Sequence, residues 1–167
     1  MQALRGVSCE IAAGQLTGLF GPSGSGKSTL IRAIAGVQAN VEGELSVLGR
    51  APASPAVRAE LGYMTQAPSI YEDLSVDENL RYFAAVRGAS TGDMLARTGL
   101  AGQASQLVRD LSGGQRARAS LAVALLGRPR LLLLRDGALL AALTPAELVA
   151  RTGTTDMDEA FVRLIEG

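Results

Sequence analysis

The residues Gly21-Pro22-Ser23-Gly24-Ser25-Gly26-Lys27-Ser28-Thr29 constrain this chain more than any other stretch, because they fit the phosphate-binding pattern G-x-x-x-x-G-K-[ST]. Such a loop works between a strand and a helix. Upstream, Leu16-Thr17-Gly18-Leu19-Phe20 predicts a short buried strand; downstream, Thr29 to Ala35 predicts a helix that Gly36 ends. In that setting the glycines let the backbone wrap closely around a polyphosphate and turn its N–H groups inward. The helix N-terminus adds partial positive charge, worth roughly 0.3–1 kcal/mol for a nearby anion. Lys27 would reach the β- and γ-phosphates, and the Ser28 hydroxyl would ligate Mg²⁺. Lys27 is also the only lysine; every other basic residue is arginine. A Gly/Ser-rich turn that matches by chance is the competing reading, and the flanking pattern disfavours it.

Composition bounds the rest. A length of 167 residues suits one domain, and 47% hydrophobic residues are ample for a core built of Leu, Ile, Val and Ala. Sixteen basic and sixteen acidic residues cancel, with no long basic run, which argues against a nucleic-acid binder that works by charge. The single cysteine, Cys9, excludes an internal disulfide, suits a reducing cytosol and reads as a small core or strand residue. No apolar run approaches the ~20 residues needed to span a bilayer, and no signal-peptide pattern is present. A role at a membrane would therefore be exercised from the cytoplasmic side through another subunit.

Further along, Leu4 to Ile11 predicts a strand, and so does Glu44 to Leu48, closed by Gly49. A short helix is expected within residues 51–59, and a strand over Leu61 to Thr65 that ends at Gln66. Ser75-Val76-Asp77-Glu78 is a capping box that starts a helix reaching about Val86 and stopping at Gly88. A shorter helix is expected from Gly92 to Arg97, and a long one from Gly114 to Leu126, broken by Arg128-Pro129. Leu131 to Leu134 reads as a buried strand of the continuous type found in parallel sheets. Asp136-Gly137 is a hairpin signal, Thr144-Pro145 opens a helix, and residues 156–165 form an amphipathic helix.

Leu111-Ser112-Gly113-Gly114-Gln115 places two glycines and a serine at a helix N-terminus, a second anion-binding surface. Taken alone it is equally a glycine turn with a serine cap. A P-loop, then Tyr63-Met64-Thr65-Gln66, then LSGGQ, in this order, resembles the ATP-binding subunit of ABC transporters over nearly the whole chain. The resemblance implies an α/β fold: a P-loop NTPase-like, mostly parallel sheet with flanking helices and a helical subdomain bearing LSGGQ. It divides the chain into a P-loop and Q-loop core (1–74), a helical signature region (75–127) and a C-terminal part (128–167).

The resemblance also supplies roles. Gly21 to Thr29 match Walker A. Gln66 matches the glutamine that touches Mg²⁺ and the attacking water and senses the membrane subunit. Ser112, Gly113, Gly114 and Gln115 match the signature, which meets the γ-phosphate held by the opposite subunit of a head-to-tail dimer. Ligands and partners follow: ATP, Mg²⁺ bound through Ser28 and Gln66, a transmembrane permease and a second ATP-binding subunit. No nucleic acid is expected, and the place is the inner face of the cell membrane. Ser69-Ile70-Tyr71-Glu72-Asp73-Leu74-Ser75-Val76 and residues 157–165 resemble the drug-exporting, ABC-2-like branch. The implied activity is ATP hydrolysis driving export; the alternative is a non-hydrolysing or regulatory partner of an intact subunit.

The pattern departs from the family after Leu134. Arg135 stands where Walker B has its Mg²⁺-binding aspartate, and Asp136 stands in the glutamate position. Asp136 is either a degenerate catalytic carboxylate or part of an Arg-Asp-Gly hairpin that normally lies well downstream. Thr144-Pro145-Ala146-Glu147-Leu148, following as it does in relatives, favours the hairpin and implies that the segment with the D-loop and switch histidine is missing. The chain has no histidine. Residues 3–8 align just after the aromatic residue that in the family stacks on adenine, so ATP binding weaker than the family norm is expected; Arg135 in place of the aspartate and the missing histidine imply weak turnover by the chain alone.

Overall fold

Helix α1 (Lys27–Ile34) begins where the chain leaves a left-handed Gly26, φ 91°, a conformation open to glycine and costly to other residues. The computed structural model in which it is seen describes residues 4, 6–12, 17–19, 24–65, 69–134 and 153–154. The helix starts two positions before the expected Thr29 and ends as expected, with Ala35 as C-cap and Gly36 at φ 70°. There the Val37 N–H donates to the Arg32 carbonyl at 3.0 Å, closing the last turn. A Cβ on Gly36 would stand 2.8 Å from the Ala53 nitrogen, so close backbone approach as well as φ requires glycine here. This contact seats α1 on the lead into α2 (Pro55–Ala59), which has Ser54 as N-cap, Pro55 at N1 and a fully buried Val57.

Strand β1 (Leu61–Met64) and strand β2 (Leu131–Leu134) form a parallel pair, with Leu61 opposite Leu131 and Met64 opposite Leu134. Parallel neighbours need a long crossover, and here it is helical. Helix α3 (Val76–Arg87) carries the full capping box. Ser75 Oγ accepts from the Glu78 N–H at 3.2 Å, Glu78 Oε2 accepts from the Ser75 N–H at 2.8 Å, and Gly88 at φ 61° ends the helix. Helix α4 (Met94–Arg97) is followed by 3₁₀ turns at Ala101–Gln103 and Val108–Asp110, then by α5 (Gly113–Ala124).

The core lies inside this crossover. Val76, Leu80 and Ala84 of α3 meet Met94, Leu100, Val108 and Leu111, and Leu121, Ala122, Leu125 and Leu126 close it. Met64 and Leu132 pack against it and tie the strands to it. Leu80, Leu100, Leu121 and Leu126 are essentially inaccessible; at ~1.5–3 kcal/mol each they make residues 76–126 the stability centre. Buried polar side chains beside this core include Thr98, 0% exposed, which donates its hydroxyl to the Met94 carbonyl at 2.8 Å. Asn79, 1% exposed, accepts from the Tyr71 N–H at 2.8 Å and donates to the carbonyls of Tyr71 (2.9 Å) and Ser75 (3.0 Å).

Several expected elements differ. Residues 6–11 and 17–19 are not in strands; among the described residues nothing supplies them a ladder, and Leu19 is exposed. Cys9, expected in a core or strand, is exposed. The strand expected over residues 44–48 is a two-residue hairpin turn instead. Val47 and Arg50 exchange both backbone hydrogen bonds, at 2.8 and 3.0 Å, around Leu48 and Gly49, both with positive φ. The sequence places Gly49 at the close of a strand; its left-handed φ of 75° reverses the chain at once instead. Residues 92–93 precede α4 as a turn, and α5 starts one residue early and stops at Ala124. Leu131, Leu132 and Leu133 are half-buried where full burial was expected, because among the described residues β2 has a neighbour on one edge alone. The hairpin at 136–137 and the helices expected beyond it lie outside the described residues.

Candidate functional site

The first helix N-terminus is suited to hold an anion. Gly24 and Gly26 adopt φ of 81° and 91°, and a Cβ on Gly24 would meet nothing within 4 Å. No side chain caps α1, and its first turn contains no acidic residue, so the positive end of its dipole is not offset from within the helix. Lys27, Ser28 and Thr29 open the helix half-buried. The Lys27 ammonium donates to Ser25 Oγ at 3.3 Å, an exposed bond that turns it back toward the loop. An uncapped N-terminus with a cation folded back over left-handed glycines fits a polyphosphate. Gly21, Pro22 and Ser23, the first part of the same motif, lie outside the described residues.

The second is the start of α5. Ser112 is the N-cap and Gln115 completes a capping box: Ser112 Oγ accepts from the Gln115 N–H at 3.2 Å, and Gln115 Oε1 accepts from the Ser112 N–H at 2.9 Å. The same S-x-x-[EQ] spacing that identified Ser75–Glu78 also marks Ser112–Gln115, so this box was legible and missed. It fixes both polar side chains while leaving the serine O–H and the glutamine amide free to donate outward. Ser112, Gly113 and Gly114 are exposed, and a Cβ on either glycine would meet open space. Nothing within the described chain requires glycine at these two positions.

The loop between the two motifs is bound to the second one. The Val108 N–H donates to the Leu74 carbonyl at 3.0 Å and the Arg109 N–H to the Glu72 carbonyl at 3.1 Å, with a bridge between Ser75 and Leu107. Arg109 pairs with Asp73 at 3.1 Å, and Arg116 pairs with Glu72 at 3.3 Å while donating to the Arg109 carbonyl. Both pairs are exposed and individually weak, ~0–1 kcal/mol, so the backbone bonds carry this junction. Sequence reading did not find this role for Arg109 and Arg116; their partners lie tens of residues away, and no local pattern signals such pairs. At the other end of the loop, Thr65 Oγ1 and Ser69 Oγ lie 2.7 Å apart, on either side of the segment that contains Gln66.

Gln66, Arg135 and Asp136 lie outside the described residues. Of the two expected Mg²⁺ ligands, Ser28 is placed as the second residue of α1, beside Lys27. Among the described residues no group of three or more Cys, Asp or Glu could hold a metal ion, and no helix is long and apolar enough to cross a membrane.

Comparison with known proteins bears on both ends. Residues 4–137 match the family model described as ABC transporter. The chain is 40% identical over 144 residues to the probable multidrug ABC transporter ATP-binding protein YbhF of Escherichia coli, a match covering 80% of this chain and 25% of that one. It is 39% identical over 136 residues to the aliphatic sulfonates import ATP-binding protein SsuB 2 of Burkholderia cenocepacia, covering 80% and 50%. It is 38% identical over 177 aligned positions to the Fe(3+) ions import ATP-binding protein FbpC of Streptomyces coelicolor, covering 93% and 51%. The chain thus spans between a quarter and about half the length of these relatives. Among solved structures, cbiO1 from Clostridium perfringens, part of the ABC transporter complex cbiONQ, superposes with a TM-score of 0.73 at 24% identity, over 96% of this chain and 68% of that one.

Proposed function

This chain belongs to the ABC transporter family, and from that premise we propose that it is an ATP-binding subunit that drives transport through a separate membrane permease. The observation that supports the reading is the pair of glycine-rich helix N-termini, one beginning with Lys27 and Ser28 after a left-handed Gly26 and the other with Ser112, Gly113 and Gly114 facing open space. In this reading Gly21 to Thr29 hold the phosphates of ATP, with Lys27 neutralising charge and Ser28 and Gln66 holding Mg²⁺. Ser112 to Gln115 meet the nucleotide held by a second subunit in a head-to-tail dimer. The loop of Gln66 faces the permease, which keeps the chain at the inner surface of the membrane. The division at 1–74, 75–127 and 128–167 is retained as the corresponding functional division.

Phosphoryl transfer is largely positioning and electrostatics, and this chain's own contribution is to hold the phosphates with Lys27 and backbone N–H groups and to orient water through Gln66. Mg²⁺, when bound, neutralises charge on the phosphates. Arg135 in the Walker B position carries the wrong charge for a metal ligand, so hydrolysis by the chain alone is slow in this reading and Asp136 contributes little. For direction we favour export, on the likeness of Ser69 to Val76 to the drug-exporting branch; the relatives' names divide between multidrug transport and import. Titration calorimetry with ATP and Mg²⁺ tests the core of the proposal. Wild type binds at the P-loop and Lys27→Ala loses that site and its heat; equal heats from both proteins refute it. Phosphate release by the chain, alone and mixed with an intact relative, then separates a hydrolysing subunit from a non-hydrolysing partner.

A further inference from the structure

A cavity of about 720 Å³ opens at the N-terminal ends of β1 and β2, whereas Gln66 follows the C-terminal end of β1. It is lined by four arginines, Arg58, Arg87, Arg97 and Arg128, against a single carboxylate, Asp93. That imbalance stands out in a chain of zero formal net charge. Five arginines elsewhere are matched: Arg50 and Arg130 with Glu60, Arg81 with Asp77, Arg109 with Asp73, and Arg116 with Glu72. Among the described residues no carboxylate pairs with Arg58, Arg87 or Arg128. Arg87 donates to the Leu126 carbonyl at 3.2 Å; although the residue as a whole is exposed, the protein around its guanidinium lowers its pKa through desolvation. Arg128 sits at φ 53°, a left-handed conformation unfavourable for an arginine. Arg58, Arg87 and Arg128 thus gather positive charge here with no carboxylate partner among the described residues.

We propose that this cavity is a second ligand site, separate from the P-loop, that binds a compound carrying two or more phosphates and of about nucleotide size. Guanidinium forks match phosphate oxygens two at a time, and several around one cavity favour a polyanion over a single carboxylate. The volume lies within the ~300–1,000 Å³ usual for small-molecule sites. One wall is apolar, with buried Met94 and Leu125 and an exposed Val86, and suits the uncharged part of such a ligand. Ser90 Oγ accepts from the Gly92 N–H at 3.1 Å, which leaves its own O–H to donate into the cavity. Because α2, α3, α4 and the link from α5 to β2 all contribute, a bound polyanion would bind these elements together.

Calorimetric titration with inorganic pyrophosphate tests this on wild type, Lys27→Ala and the double variant Arg58→Gln/Arg128→Gln. Both arginines are exposed and make no side-chain hydrogen bond among the described residues, so the double variant should fold, and its circular dichroism melt checks that it does. The expected result is that Lys27→Ala retains a pyrophosphate site and that the double variant weakens it at least tenfold. Loss of all pyrophosphate binding in Lys27→Ala overturns the proposal, and so does unchanged affinity in the double variant. Binding of an acidic peptide such as oligoglutamate in place of pyrophosphate also overturns it. If Lys27→Ala keeps full ATP binding, the P-loop reading fails instead, and this site stands or falls on the arginine variant alone.

Discussion

Replacing Gly114 by alanine separates what the fold needs from what an approaching partner needs. Gly114 lies in the first turn of α5 without a positive φ, and an added Cβ would meet nothing within 4 Å. Alanine should therefore stabilise the chain, by reducing unfolded-state freedom and by helix propensity, by ~0.5 kcal/mol, the lower part of the usual range because a first-turn residue makes fewer helical bonds. With a urea slope of roughly 2 kcal/mol/M that raises the unfolding midpoint by about 0.25 M. Gly62 supplies the opposite case. Its Cβ would sit 2.4 Å from the Ala124 carbonyl oxygen and 2.8 Å from Leu132 Cδ1, so β1 would have to move off α5 by about an ångström. Overpacking of that kind costs ~1–3 kcal/mol, a midpoint lower by roughly 0.5–1.5 M. Paired urea titrations read both values. Sedimentation with ATP then reads the other half: Gly114→Ala, though more stable, should dimerise less, since its methyl occupies the space left for the second subunit's nucleotide. A lowered midpoint for Gly114→Ala would mean that contacts within the chain fix this glycine, and undiminished dimerisation would mean that no partner approaches it; either refutes the reasoning.

Other outcomes follow from the same geometry. Ser112→Arg should abolish ATP-dependent dimerisation in sedimentation while leaving the ATP affinity of the monomer unchanged, since Ser112 is exposed and remote in sequence from Lys27. Asn79→Ala should cost ~1–3 kcal/mol in a denaturant melt, because the Tyr71 N–H loses its acceptor and the carbonyls of Tyr71 and Ser75, each of which also accepts a backbone N–H, lose their side-chain donor. Glu78 has its pKa lowered, chiefly by the hydrogen bond from the Ser75 N–H and then by that from the Ser75 hydroxyl. The ionised form is therefore the one the fold prefers. Its contribution is present above the pKa of the unfolded chain and is lost as pH falls through the lower folded value. Stability measured against pH should decline on the acid side of the ordinary glutamate range, and Glu78→Ala should flatten that decline; an identical acid profile would count against the capping role.

What could be read in the sequence was whatever depends on near neighbours. The capping box at Ser75, the helix stops at Gly36 and Gly88 and the all-leucine strand at 131–134 are short-range signals, and each appears where expected. The glycine-rich starts of α1 and α5 were legible, to within two residues, for the same reason. Strands at 4–11 and 44–48 were not, because a β-prone run becomes a strand only when another run lies beside it, and Gly49 turns its segment before one can form. The arginine cavity was illegible because Arg58, Arg87, Arg97 and Arg128 come from four separate parts of the chain, and nothing in sequence spacing brings them to one mouth.

The junction between residues 72–75 and 107–109 determines how a displacement would travel. With backbone bonds from Val108 to Leu74 and from Arg109 to Glu72, and Arg116 reaching Glu72 from α5, the stretch before α3 and the stretch before Ser112 are one stiff piece rather than two links of a chain. A stiff piece carries a push as a lever does, by moving whole. A push on the exposed ring of Tyr71 therefore has a short, hydrogen-bonded route to the stretch before Ser112.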